Sequence, residues 1–287
     1  MFERILVPLD GSPLAERILP CVERIGRLHA SELLPFRAYA TEVSGSFGPV
    51  IVNHGPEATE YVEEVARRLR GRNLRARGLA RHGDAASTIL EGAAEEGASL
   101  IAMSSHGRTG LARWILGSVA EKVVRAATIP VLMVRSFSET AEPAFKRILL
   151  PFDGSELAKC AVPHVLALAR AFGSQVLLLR VLEQEEVREP AELELRNMVA
   201  KFSGDGIECA PLFRTGDPAA EILDAGAAHA ADLLAMSTRG RTGSGRWIFG
   251  SVTEKVVRAG SLPMLVVPAK NKESKVLVRA AESCWKE

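Results

Sequence analysis

GRTGLARWILGSVAEKVVRA occupies residues 107–126, and GRTGSGRWIFGSVTEKVVRA occupies residues 240–259. The two stretches agree at 16 of their 20 positions. Sequence drifts easily wherever a fold needs only an apolar residue of suitable size. A repeat this close therefore indicates a duplicated unit. The architecture of the chain follows from such a duplication more directly than from any single motif.

The repeat extends over most of the chain. FERILVPLDGSPLA, which begins at Phe2, recurs 143 positions later as FKRILLPFDGSELA, whereas HGDAASTIL, which begins at His82, recurs 133 positions later as TGDPAAEIL. The first half therefore carries ten extra residues between Ala38 and about Glu57, in a Gly- and Pro-containing segment that predicts a long loop.

A period of this length corresponds to whole domains rather than to the short repeats of a solenoid. We predict a first domain at 1–138, a linker at 139–144, a second domain at 145–269 and a C-terminal tail at 270–287.

Composition is that of a globular protein. The chain has 287 residues, of which 47% are hydrophobic and 25% charged, which suffices for two cores. A net charge of +1 favours neither nucleic acid nor membrane surfaces as partners. No stretch approaches 18 apolar residues, and the start lacks a secretory signal pattern. We expect a cytoplasmic protein.

The four cysteines have no metal-type spacing and occupy no matched positions in the repeat; they are Cys21, Cys160, Cys209 and Cys284. We interpret them as reduced thiols and predict no metal site.

Each half alternates apolar strands with amphipathic helices. RILVPLD and RILLPFD, which end at Asp10 and Asp153, are typical of buried parallel strands that stop at a Gly-Ser turn. Pro20 and Pro163 fall inside the helices that follow and predict a kink in each. The order β-α-β-α-β-α-β-α-β predicts an α/β fold: two tandem Rossmann-like domains, each a five-stranded parallel sheet with helices on both faces.

This fold predicts where a ligand binds. Ligands of open parallel sheets lie beyond the carboxyl ends of the strands, where strand order reverses. Asp10 ends strand one and residues 104–107 follow strand four, so both face one crevice if these strands are neighbours. Asp153 and residues 237–240 correspond to them in the second half.

The glycines of the repeated stretch allow two interpretations. Glycine lets backbone amides approach an anion closely, and a helix start offers unpaired N–H groups to phosphate. Alternatively, Ser118 with Glu121, and Ser251 with Glu254, have the spacing of a capping box, in which Ser is the N-cap. The pattern by itself leaves both readings open.

RILVPLDGS, HGD and MSSHGRTGLARWILGSVAEKVVRAATIPVLMV together resemble the universal stress protein family, and the second half resembles it equally. The resemblance implies strand order 3-2-1-4-5 and, in members with the pattern G-x2-G-x9-G-S/T, an ATP site. The second and third elements of the pattern match at Gly107 with Gly117-Ser118, and at Gly240 with Gly250-Ser251. Ser104 and Ser237 replace the first glycine.

The resemblance implies one adenine-nucleotide site in each half. The first comprises Pro8, Leu9, Asp10, Ala38, Met103, Ser104, Gly107, Arg108, Gly117, Ser118 and Val119. The second comprises Pro151, Phe152, Asp153, Val181, Met236, Ser237, Gly240, Arg241, Gly250, Ser251 and Val252. Asp10 and Asp153 are also good turn formers, and Arg108 and Arg241 are equally interpretable as solvated loop charges.

We therefore expect an ATP-binding protein with a regulatory or stress-response role, binding ATP alone or with Mg²⁺. A nucleotide-independent interaction scaffold of the same fold is the alternative. An ATP-consuming enzyme is disfavoured beyond weak ATPase activity, because the sequence has no P-loop and no paired nucleophile and base. We further expect the two fifth strands, IPVLMV and LPMLVV, to pair within the chain, and the resemblance is consistent with a homodimer.

Overall fold

The structure is a computed structural model that describes residues 1–44, 50–105, 116–135, 144–182, 188–238 and 250–269. The predictions made for Gly107, Arg108, Gly240, Arg241, linker residues 139–143 and the tail at 270–287 lie outside these ranges.

The first half contains the following strands: β1 (Arg4–Pro8), β2 (Glu32–Tyr39), β3 (Thr41–Ser44), β4 (Val50–Asn53), β5 (Arg75–Ala76), β6 (Leu79–His82), β7 (Leu100–Ser104) and β8 (Val131–Val134). Its helices are α1 (Pro13–Glu16), α2 (Leu19–His29), α3 (Gly55–Arg70), α4 (Ala85–Glu95) and α5 (Ser118–Ala126).

The second half contains the strands β9 (Arg147–Pro151), β10 (Gln175–Leu182), β11 (Cys209–Thr215), β12 (Leu233–Ser237) and β13 (Met264–Val267). Its helices are α6 (Val162–Phe172), α7 (Arg188–Gly204), α8 (Pro218–Ala228) and α9 (Ser251–Ala259), and a 3₁₀ turn spans Ala158–Ala161.

Eleven strands of the described residues form one sheet. The second half has the order β11-β10-β9-β12-β13, which is 3-2-1-4-5 in the numbering of the repeat, and all its internal pairings are parallel. The first half mirrors this order. β8 and β13 join the halves as an antiparallel pair, in which Leu132 lies opposite Leu265.

Two hydrophobic layers sandwich this sheet. Residues of α2, α3, α6 and α7 pack on one face, and we call this side the first layer. Residues of α4, α5, α8 and α9 pack on the other face, the second layer. The strands are buried on both faces, which explains why they read as continuous apolar runs rather than alternating ones.

The strand count of the first half differs from the five that we predicted. Its third strand is divided into β5 and β6, which both pair with β2. Gly78 lies in the break, and a Cβ at this residue would come within 2.7 Å of the backbone of Val62 in α3. The chain therefore bends where strand three passes closest to the helix, and only glycine fits there.

The ten extra residues of the first half are not simply a long loop. β3 and β4 pair antiparallel, with Thr41 opposite Asn53, and form a separate two-stranded sheet before α3 begins. In the second half, β10 ends at Leu182 and α7 begins at Arg188. Alternation over such short segments was too weak a signal to reveal the hairpin.

The predicted proline kinks are also wrong. Pro20 and Pro163 both stand in the first turn of a helix, α2 and α6, rather than in a helix interior. The helix expected after each Gly-Ser turn is instead divided, with α1 or the 3₁₀ turn preceding the proline. Proline tolerates this position because its missing N–H would have no helical partner there.

Candidate functional site

The strand ends that we expected to share a crevice are neighbours. β1 pairs with β7, and Leu6 lies opposite Ile101. β9 pairs with β12 in the same way, with Leu149 opposite Leu234. Because the paired strands are parallel, the turn after Pro8 and the segment after Ser104 leave the sheet at the same edge.

The turn after strand one is organised by its own side chains. The backbone N–H of Ser12 donates to Asp10 Oδ1 at 2.9 Å, and the N–H of Ala15 donates to Ser12 Oγ at 3.1 Å. Asp153, Ser155 and Ala158 repeat the arrangement in the second half, with distances of 3.0 Å for both bonds. The two aspartates therefore act as turn formers, while a role toward a ligand remains a prediction.

Gly11 and Gly154 follow these aspartates with φ angles of 85° and 80°. This left-handed backbone conformation is one that glycine adopts without strain, which accounts for the Asp-Gly-Ser sequence in both halves.

The helix that follows strand four begins at a glycine. Gly117 is the N-cap of α5, and Gly250 is the N-cap of α9; among the residues that the structure describes, no side chain caps either helix. Our capping-box interpretation is therefore wrong, because Ser118 and Ser251 are the first helical residues rather than N-caps. A glycine N-cap has no side chain to accept from the first-turn amides, so it satisfies fewer of them than a Ser N-cap would.

Backbone hydrogen bonds fasten these helix starts to strand four. The Gly117 N–H donates to the Ser105 carbonyl at 2.9 Å, and the Gly250 N–H donates to the Thr238 carbonyl at 2.8 Å. In the second half, Thr253 Oγ1 also donates to the Ser237 carbonyl at 3.0 Å. The position of each helix start relative to the strand ends is thus set by backbone contacts.

Several predicted site residues lie together on one side of the sheet. Met103 is buried in the second layer, and Ala38 and Val119 are partly buried against it. The matched residues of the second half, Met236, Val181 and Val252, have the same placement. In each half, these residues belong to the hydrophobic layer on the face that carries α5 and α9.

Other predicted residues face the opposite layer. Leu9 and Phe152 are each 4% exposed and belong to the first layer, so their side chains are core residues. Ser104 is buried and alternates with Met103 along β7, which directs its side chain toward the α1 side. Ser237 is buried at the matched position of β12.

Sequence reasoning missed two buried arginines beside the candidate site. Arg37 on β2 and Arg180 on β10 are 7% and 2% exposed. They occupy matched positions, in FRA and LRV, one residue before Ala38 and Val181. An arginine at the same place inside two apolar strands was the signal that could have revealed them.

The thiols of the described residues form no disulfide, and they are buried or partly buried. Cys21, Cys160 and Cys209 are free. Burial raises the pKa of the Cys209 thiol to about 12, and burial raises the pKa of Cys21 as well. Within the described ranges, no group of three or more His, Cys, Asp or Glu side chains is placed to hold a metal ion. Cys284 lies outside those ranges.

The described helices include none that is both long enough and apolar enough to cross a membrane.

The fold defines a tandem Rossmann-like protein in which strands one and four of each half are neighbours and end side by side. The profile of the universal stress protein family matches residues 1–135 and again residues 144–268. The chain belongs to this family.

Relatives in sequence agree with this assignment, and solved structures share the fold. A universal stress protein of Methanocaldococcus jannaschii is 27% identical over 169 residues, which are 53% of this chain and 99% of that protein. One of Mycolicibacterium smegmatis is 23% identical over 286 residues, covering 92% of this chain and 96% of that protein. The crystal structure of a universal stress protein from Archaeoglobus fulgidus superposes with a TM-score of 0.76 at 24% identity, covering 95% of this chain and 99% of that chain. At this identity, the superposition supports the fold alone.

Proposed function

We propose that each half binds an adenine nucleotide, ATP alone or with Mg²⁺, with its phosphates at the first turn of α5 or α9. The observation that carries the proposal is the pair of helix starts at Gly117 and Gly250, which no side chain of the described ranges caps and which lie at the carboxyl end of strand four. First-turn amides without a protein acceptor are donors for an anion, and the helix dipole favours negative charge there.

The neighbouring helices show how this chain caps a helix that needs no ligand. α4 begins after Asp84, whose carboxylate accepts from the Ser87 N–H at 3.2 Å. α8 begins after Asp217, whose Oδ1 accepts from the N–H groups of Ala219 and Ala220 at 3.1 and 3.0 Å. A carboxylate at the start of α5 or α9 would occupy the same amides and repel phosphate. Glycine at both starts supports an anion-binding role.

The remaining parts of the proposed site follow the family resemblance. The Asp10 and Asp153 turns would face the ribose, since they lie at the adjacent strand end, and the surface of Ala38, Met103 and Val119 would pack against the base. Arg108 and Arg241 would neutralise phosphate charge.

We propose a regulatory or stress-response role, exerted through binding rather than turnover, in a cytoplasmic protein that associates as a homodimer. An interaction scaffold without nucleotide is the competing function. Ser104 and Ser237, which stand where the family pattern has its first glycine, are the observation in its favour.

Two measurements on the purified protein test the proposal. Mass spectrometry of the small molecules released on denaturation should show an adenine nucleotide, and calorimetry of nucleotide-stripped protein with ATP should show two nucleotides bound per chain. Absence of released nucleotide together with no heat of ATP binding would favour the scaffold function. Steady phosphate release from ATP would instead indicate an enzyme.

A further inference from the structure

The burial of Arg37 and Arg180 is unfavourable in free energy. Removing a guanidinium from water is expensive, and apolar residues of similar volume often replace buried ion pairs without loss of stability. Arg37 and Arg180 are nevertheless both nearly inaccessible, on the second strand of each half. A structural or functional role common to the two halves would explain why both keep a buried arginine at this position.

Both arginines are adjacent to the Asp-Gly-Ser turn. The N–H of Leu9 donates to the carbonyl of Phe36, the residue before Arg37, at 2.8 Å. The N–H of Phe152 donates to the carbonyl of Leu179, the residue before Arg180, also at 2.8 Å. The backbone that leads into each aspartate is therefore bonded to the backbone that carries the arginine.

In the first half, a chain of contacts leads from Arg37 to α1. The guanidinium lies over the ring of Tyr61 in α3, with its Cζ 5.3 Å from the ring centroid, and donates to Glu57 at 3.0 Å. The Tyr61 hydroxyl donates to Glu16 Oε1 at 2.8 Å. Glu16 belongs to α1, whose N-cap is Ser12 of the turn. Tyr61 thus joins the buried charge to the helix that the turn begins.

In the second half, Glu194 stands at the position of Tyr61, 133 residues later on α7. Its Oε2 lies 3.9 Å from Arg180 Nη1. The same carboxylate packs directly on Gly154, where an added Cβ would collide with it. The second half therefore makes the same connection by a shorter route, from arginine through the α7 side chain to the turn.

We propose that Arg37 and Arg180 are positioning residues, which act through Tyr61 and Glu194 to hold the two Asp-Gly-Ser turns in place. We call each chain of contacts from arginine to turn a relay. The side chain in the middle differs between the halves, whereas each relay begins at a buried arginine and ends at an Asp-Gly-Ser turn. The consequence for ligand affinity rests on the proposed nucleotide site, whereas the order of the turn itself does not.

Hydrogen exchange of the ligand-free full chain tests the first claim. Arg37→Met should accelerate amide exchange at residues 11–16 and leave residues 154–158 unchanged. Arg67→Met is the matched control, because Arg67 is an exposed arginine of the same helix as Tyr61 and pairs with Glu64 instead. Unchanged exchange at residues 11–16 in Arg37→Met would overturn the proposal.

Tyr61→Phe separates the relay from simple packing and is a milder change should Arg37→Met fail to fold. It keeps the ring beneath Arg37 but removes the bond to Glu16, so the proposal expects faster exchange at residues 11–16. Protection equal to that of the unmodified chain would mean that the arginine contributes only to the core, and would refute the relay.

Calorimetry then connects the turn to the ligand. Arg180→Met should lower ATP affinity about tenfold in the second half only, while Arg196→Met, which removes an exposed arginine of α7, should leave both affinities unchanged. If the unmodified chain binds no nucleotide, the proposed function fails, and the exchange experiment still decides whether the arginines position the turns. Equal affinities in Arg180→Met and the unmodified chain would contradict a role in the site.

Discussion

Leu132 of β8 lies opposite Leu265 of β13, and these two leucines are each other's counterparts in the repeat, 133 positions apart. Val131 likewise lies opposite Val266, the counterpart of Met133. The pseudo-twofold axis that relates the halves therefore passes through the Leu132–Leu265 pair. Each half covers the sheet edge that the other would expose, which is a liability in an isolated strand.

The leucine pair should couple the stabilities of the two halves. Both side chains are at most 1% exposed, so Leu132→Ala and Leu265→Ala should each cost about 2–5 kcal/mol. Because the residues are cross-strand neighbours, the double variant should deviate from additivity by about 0.5 kcal/mol or more. Urea unfolding measures all three, with Leu193→Ala, at a residue 62% exposed, as the control. If the two losses of unfolding free energy add exactly in the double variant, the leucine pair does not couple the two halves.

The N-cap assignment predicts that two kinds of helix start respond differently to alanine. Ser118→Ala should change the free energy of unfolding by less than about 0.5 kcal/mol, because Ser118 is exposed and is not the cap. Asp84→Ala should cost about 1 kcal/mol, because its carboxylate caps α4. Chemical denaturation compares them, and an equal cost for both would restore Ser118 as a cap.

Gly117→Asp combined with Gly250→Asp should abolish ATP binding while leaving the fold intact. The φ angles of these glycines are −59° and −71°, which any residue adopts, and aspartate is a good N-cap. The melting temperature should therefore change by no more than the equivalent of about 1 kcal/mol. The carboxylate would occupy the first-turn amides and repel phosphate.

The matched control is Gly117→Asn with Gly250→Asn, which adds the same bulk without charge. Calorimetry should show weaker binding in this control and none in the aspartate variant. Normal ATP binding by the aspartate variant would place the phosphates elsewhere.

Glu96 should make the first half sensitive to acid. Hydrogen bonding to Arg77 and the nearby Arg81 charge hold the pKa of this carboxyl below its usual 4.5. A lowered pKa in the folded state means that the stabilisation is present above the unfolded value and is lost as pH falls through the folded one. We expect Glu96→Gln to unfold at a lower urea concentration than the unmodified chain at neutral pH, and this difference should disappear by about pH 3. The exposed Glu91→Gln is the control, and a disadvantage that persists unchanged in acid would exclude this ion pair as the cause.

His29 should respond to pH in a higher range. Burial, together with the charge of the N-terminal ammonium, lowers the pKa of this imidazole from 6.5. The folded state therefore favours neutral His29, and its contribution to stability is lost as pH falls below 6.5 through the lowered pKa. Its ring meets Phe2 edge-on at 5.2 Å, as Phe172, its counterpart in the repeat, meets Phe145 at 4.8 Å.

His29→Phe should accordingly preserve the edge-on packing and remove this acid sensitivity. Thermal unfolding near neutral pH and in mild acid tests the substitution. A variant that loses as much stability in mild acid as the unmodified chain would show that another group is responsible.

The features that the sequence predicted well are periodic or local. The amphipathic helices that we predicted are one example, since the buried face of α3, which includes Ala58, Val62, Val65 and Leu69, follows the helical spacing of its apolar residues. The matched face of α7 comprises Ala191, Leu195, Met198 and Phe202. The Asp-Gly-Ser turns and the helix starts near Gly117 and Gly250 were visible because short-range backbone chemistry restricts which residues can stand there.

The features that the sequence did not predict depend on residues far apart in the chain. Gly78 divides strand three because α3 passes against it, and nothing in its neighbouring residues reports the position of that helix. The N-cap differs from the capping-box prediction by one residue. In each Gly-Ser pair, either residue could be the N-cap until hydrogen bonds fix the helix start against the end of strand four.

By itself, the sequence determined that this chain is a duplicated α/β unit. Continuous apolar runs predict strands buried on both faces, helical spacing of apolar residues predicts the helices, and both patterns lie within short stretches of sequence. Pairing of the two fifth strands was expected, but tertiary structure alone decided the register that places Leu132 opposite its own counterpart. It also decided that Arg37 contacts Tyr61 where Arg180 meets Glu194. The reason is physical: the free energy of such contacts depends on which surfaces the folded chain brings within a few ångströms. A pattern along the sequence specifies which residues are apolar or charged, but not which distant residue they will face.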